Sequence, residues 1–137
     1  MKHLGIDYGL KRIGLATSDG LLASPFLVIE NKGPKKTLIR MEQIIKDGRF
    51  DIAVFGLPLD SEGGDTPMSG DIRTFAQSLS DKTGIAIIFI NERYSSIEAE
   101  AHIREKLGII KRDKVKELID KMAAAMILQD YLERRAL

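Results

Sequence analysis

The sequence has no cysteine, which excludes a disulfide framework, a thiolate metal site and a thiol nucleophile, and suits a reducing compartment. Histidine is nearly as scarce. Only His3 and His102 are present, poor material for a serine-histidine triad, and both read as structural or surface residues. An excess of one charge is missing too. The 21 basic and 20 acidic residues leave +1, so any polyanion would have to be met by a local patch. Long apolar runs are absent. The longest, MAAAMIL at 122–128, is far short of the ~20 residues that span a bilayer. The start, MKHLGIDYG, is broken by charge and glycine and does not read as a signal peptide. The expectation is a soluble cytoplasmic protein that avoids membranes.

What is present is ordinary globular material: 44% apolar and 30% charged residues in 137, enough for one domain over 1–137 with a sizeable core. No repeat or linker interrupts it. Residues 3–8 alternate, with Leu4, Ile6 and Tyr8 on one face and His3, Gly5 and Asp7 on the other, which predicts a strand. KRIGLATSD continues the period after a short turn, predicting an antiparallel hairpin, and Leu22 to Glu30 reads as a third strand with Pro25 near its start. Helical spacing appears from Lys35 to Lys46 and ends before Gly48. DIAVFGLP and GIAIIFINER are continuously apolar, as strands covered on both faces are. The stretch from Ile72 to Gly84 lies between them as a helix, so the unit is a right-handed parallel crossover. SSIEAEAHIREKLG predicts a further helix, with a capping box from Ser95 to Glu98. The last helix, about 112–134, carries Val115, Leu118, Ile119, Met122 and Met126 on one stripe and is apolar on nearly every side from Met122 to Leu128, which predicts burial. The acidic, glycine-rich segment 57–71 is expected as the one long loop, at the functional edge of an α/β sheet.

Three acids fall at ends of buried elements: Asp7 ends the first strand, Glu92 the last, and Asp120 precedes the apolar part of the final helix. Each has a structural alternative. Asp7 could cap the turn, Glu92 could pair with Arg93, and Asp120 could pair with Lys116. If the strands run parallel and the last helix crosses the sheet, all three share an edge. Convergent carboxylates are what hard divalent cations need to act on a phosphodiester. Lys11 and Arg12 after the first turn, Arg93 after Glu92, and the helix opening at Ser95 and Ser96 are candidate phosphate contacts. Gly9 and Gly14 permit close backbone approach.

Four blocks, GIDYGLKRIGLATSD, FGLPL, INERYSS and IDKMAAAMILQDYL, carry a resemblance to the YqgF family, also called RuvX, of RNase H-like nucleases, over essentially the whole chain. The resemblance implies an α/β RNase H-like fold with a five-stranded mixed sheet, order 3-2-1-4-5, flanked by helices. It also implies Mg2+ or Mn2+ held by Asp7, Glu92 and Asp120, and a role in 5′-end maturation of pre-16S rRNA. Holliday-junction cleavage is the alternative activity. Asn91 stands where the family usually has an aspartate, and Ser95 and Ser96 replace a threonine pair. In that strand order the first and fifth strands are about 10 Å apart. Two other readings stay open. Asp7, Gly9 and Lys11 fit the D-x-G-x-K hairpin of actin-like ATPases, although the chain is too short for their two lobes. A metal-free nucleic-acid-binding regulator would not need all three acids. The expected partner is nucleic acid, pre-rRNA or structured DNA, bound by a monomer or homodimer.

Overall fold

The computed structural model describes residues 1–91 and 112–136. The chain forms β1 (His3–Tyr8), β2 (Arg12–Ser18), β3 (Ser24–Glu30), α1 (Pro34–Gly48), β4 (Ile52–Leu57), α2 (Pro67–Thr83), β5 (Ala86–Asn91) and α3 (Arg112–Ala136). The five strands make one sheet in the order β3-β2-β1-β4-β5, the order that the resemblance implies. β1 with β2 and β2 with β3 are antiparallel, whereas β1 with β4 and β4 with β5 are parallel. The register of β2 and β3 shifts near Leu15 and Ala16, beside Pro25 on the edge strand, where an imino nitrogen costs no interior ladder bond.

Alternation along each strand sorts side chains to two cores. Leu4, Ile6, Ile13, Leu15 and Phe55 meet Met41 and Ile45 of α1 and Ile72 and Leu79 of α2 on one face. Ala16, Ile52, Val54 and Ile90 meet Ala124, Ile127, Leu128 and Leu132 of α3 on the other. Full burial of each large aliphatic or aromatic side chain contributes about 1.5–3 kcal/mol. Both faces of β4 are therefore covered, as its unbroken apolar sequence requires, whereas β5, expected to be covered likewise, lies at the sheet edge with Ala86 exposed and Ile87, Ile88 and Phe89 half-buried among the described residues. Among the described residues, no helix is long and apolar enough to cross a membrane.

Two further expectations need correction. α2 begins at Pro67, five residues before Ile72, because Thr66 accepts a hydrogen bond from the Ser69 amide at 3.2 Å while Ser69 Oγ accepts one from the Thr66 amide at 2.8 Å. That reciprocal cap, with proline in the first turn, shortens the irregular segment to 58–66. α3 is not buried all round. Ala123, Ala124, Ile127, Leu128 and Leu132 are buried, whereas Leu118, Ile119, Met122 and Met126 are half-buried. The buried stripe runs through alanines because the helix lies very close to the sheet. The helix expected over 95–108 lies outside the described residues.

Candidate functional site

The carboxyl ends of β1, β4 and β5 fall at one edge because these strands are parallel. Asp7 is the penultimate residue of β1 and lies opposite Gly14 of β2. Ile6 is level with Phe55 of β4, so Gly56 is the next residue beside Asp7. Directly opposed residues of an antiparallel pair project from the same face. A Cβ placed on Gly14 would collide with the carbonyl oxygen of Asp120. The Asp7 side chain therefore projects to the face covered by α3, toward the turn of that helix that carries Asp120. On each adjacent strand its neighbour is a glycine, Gly14 on β2 and Gly56 on β4, so no neighbouring strand side chain stands beside the carboxylate, and the α3 backbone lies over Gly14.

The helix can lie this close for a second reason. A Cβ on Gly5 would sit 2.8 Å from the Ala124 carbonyl oxygen and 2.8 Å from Leu128 Cβ. Gly5 and Gly14 thus form a bare strip of sheet on which the α3 backbone rests. Gly9 serves the turn itself, since a Cβ there would meet the Arg12 carbonyl oxygen at 2.5 Å.

Arg12 leaves the hairpin on the same face, and its Nε donates a hydrogen bond to Asp120 Oδ2 at 2.7 Å. The side chains are 38% and 23% exposed, so the pair adds no more than about 1 kcal/mol to stability. Its effect is geometric. One oxygen of Asp120 is fixed by the hairpin, and Oδ1 takes no hydrogen bond among the described residues. Sequence reasoning offered Arg12 to a phosphate and Asp120 to Lys116, and did not see this contact between residues 108 positions apart. Lys11 is exposed in the turn. Glu92, Arg93, Ser95 and Ser96 lie outside the described residues, which end on that side with Asn91, paired with Leu57 at the end of β5. Among the described residues no group of three or more His, Cys, Asp or Glu could hold a metal ion.

The loop after β4 opens at this same edge. Asp60 Oδ1 accepts from the Glu62 and Gly64 amides at 2.9 and 2.7 Å, and Thr66 Oγ1 donates to the Pro58 carbonyl at 2.7 Å. Asp65 accepts from Ser69 Oγ and Arg73, which hold its carboxyl below the usual carboxylate range. These two acids organise the loop.

At the opposite end of β1, His3 is fully buried beside Tyr131, with Arg135 Nη1 at 3.0 Å from Nε2. A guanidinium only donates, so Nε2 accepts. Burial, then the Arg135 charge, pushes the His3 pKa below 6.5. The neutral ring is the native form. Its contribution to stability is complete above pH 6.5 and falls as pH drops from 6.5 through the folded pKa. The urea midpoint is expected to decline as pH falls below about 6.5, and less steeply in His3→Gln. Equal declines would contradict this role.

The fold matches those of solved resolvases. Thermus thermophilus RuvC aligns with a TM-score of 0.57 at 15% identity, covering 99% of this chain and 96% of that one. The fowlpox virus Holliday junction resolvase aligns with a TM-score of 0.61 at 13% identity, covering 98% and 99%. The molecule thus has the RNase H-like fold of these proteins. The family described as "RuvX: Holliday junction resolvase" matches residues 1–134. A relative from Endomicrobium trichonymphae, described as "Putative pre-16S rRNA nuclease", is 39% identical over 95% of this chain and 94% of its own. One from Thermoanaerobacter pseudethanolicus with the same description is 37% identical over 97% and 96%. The chain belongs to the RuvX family.

Proposed function

We propose that the protein is a divalent-metal-dependent nuclease that hydrolyses phosphodiester bonds in 5′-end processing of pre-16S rRNA. The observation that supports this reading is that Asp7 lies opposite Gly14, the glycine against which the Asp120 backbone of α3 rests. The donor set fits Mg2+ or Mn2+, since both groups are hard carboxylate oxygens and Asp120 keeps one oxygen clear of Arg12. Asp7 and Asp120 would hold the metal, and Glu92, directly after Asn91, is the third ligand proposed. When bound, the metal supplies Lewis-acid stabilisation of phosphoryl charge and lowers the pKa of water. The residues themselves do the positioning. Arg12 fixes the rotamer of Asp120, and Lys11, exposed beside the site, offers its ammonium to a neighbouring phosphate; Arg93, Ser95 and Ser96 are proposed as further phosphate contacts. The descriptions carried by relatives at 37–39% identity favour RNA as substrate. The family description and the resolvase folds support junction DNA as a second reading.

The test is incubation of a 5′-extended 16S rRNA precursor fragment with Mg2+ or Mn2+. The expected products carry a 5′-phosphate and a 3′-hydroxyl, and a chelator stops the reaction. Undiminished cleavage in excess chelator would refute the metal dependence.

A further inference from the structure

We propose that the groove between the edge strand β3 and the first two turns of α1 is a second phosphate-binding site, taking nucleic-acid backbone that runs on from the Asp7 region. It rests on the nuclease reading for its source of backbone, and on separate residues for its chemistry.

The charge is local. In a chain with a net charge of +1, the stretch NKGPKKTLIRM at 31–41 carries four cations and no acid. Lys32, Lys36 and Arg40 line a groove of about 520 Å3, with Val28 and Thr37 in its wall and Glu30 as its one acid. Glu30 lies 4.0 Å from Lys32, both well exposed. Lys36 and Arg40 are one helical turn apart, repel each other and have no ion pair among the described residues. Their charges are left for an anion from outside.

The groove is also fixed to the site. Thr37 Oγ1 accepts from the Lys32 amide at 3.1 Å, which holds the β3–α1 connection against the helix. The neighbouring Asn31 donates from its amide to the Lys11 carbonyl at 2.9 Å, and from Nδ2 to the Gly9 carbonyl at 2.8 Å. The turn that follows Asp7 and the groove therefore move as one body, with Lys11 at the junction. Asp7, Gly14 and Val28 form one row across three strands, so Val28 in the groove wall is about 10 Å from Asp7; α1 packs on the sheet face opposite α3, so its cations lie round the edge of β3, along the far side of the groove. A backbone with one phosphate at Asp7 reaches it within a few nucleotides. The repeated negative charge of nucleic acid is the occupant that three spaced cations fit.

Binding of a labelled single-stranded RNA oligonucleotide to the full chain can be followed by anisotropy over a range of salt, in an Asp7→Asn background that prevents cutting. Lys36→Gln with Arg40→Gln is expected to raise Kd about tenfold near 0.1 M salt and to flatten the log–log salt slope by about 1.4, the value for two lost contacts on a single strand. Lys46→Gln, in the last turn of α1, should change neither. Both replaced side chains are exposed, and unchanged thermal melting would confirm the fold. If melting shifts, each single replacement should flatten the slope by about half as much. Equal affinity and slope in the double variant would overturn the groove while leaving the nuclease reading intact. A lost slope in a protein that never cleaves would support the groove and refute the nuclease. No binding by the Asp7→Asn parent, or weakened binding of an acidic protein with RNA binding unchanged, would overturn the groove.

Discussion

Asp7→Asn is expected to lower metal-dependent cleavage by about 10^3-fold while leaving the protein folded. The substitution keeps the shape of the side chain and removes the negative charge. A metal's stabilisation of transition-state charge amounts to several kcal/mol, and about 4 kcal/mol corresponds to that loss in rate. Asp7 is half-buried at a strand end. An isosteric change there should leave the unfolding free energy within about 0.5 kcal/mol of the parent. Rates measured with matched metal concentrations check the prediction. Cleavage by Asp7→Asn at the parent's rate would remove Asp7 from the chemistry.

Gly14→Ala is expected to destabilise the fold by about 3 kcal/mol, the upper end for overpacking. The added methyl meets the backbone carbonyl of Asp120, which cannot rotate away as a flexible side chain could. α3 would have to rise from the sheet, taking Asp120 out of reach of Arg12 and away from Asp7. The same chemical change at Gly70, an exposed position in α2 with nothing within 4 Å of an added Cβ, should stabilise by about 0.5–1 kcal/mol. Denaturant midpoints of the two variants test the contrast. Equal effects would show that Gly14 is not a contact point for the helix.

The contrast shows which parts of the molecule could be read in one dimension. Strand faces were legible because burial on one side forces a period of two, and Asp7 stood out as an acid on such a face. The parallel crossover from β4 to β5 was legible because both strands are apolar throughout. The stripe on α3 was misjudged. The expected stripe of Leu118, Ile119, Met122 and Met126 is only half-buried, because the bare strip at Gly5 and Gly14 admits the helix backbone itself, and Ala124 fits that distance. A glycine's neighbour across space leaves no trace in its own segment. The Arg12–Asp120 pair was hidden for the same reason, since it depends on how α3 crosses the hairpin. Gly56 stands inside an apolar run that predicts a strand, and its place beside Asp7 follows only from the parallel register. The early start of α2 was available from Thr66, Pro67 and Ser69, whose capping pattern was masked by the surrounding glycines and acids.

The most direct test of the account is a side-by-side cleavage assay of a 5′-extended 16S rRNA precursor, an unrelated single strand and a four-way DNA junction, with Mg2+ or Mn2+, using the parent and Asp7→Asn. The account predicts metal-dependent shortening of the precursor at its 5′ end by the parent, with that activity lost in the variant. A precursor left intact while the junction is cut, or cleavage that persists in Asp7→Asn, would contradict it.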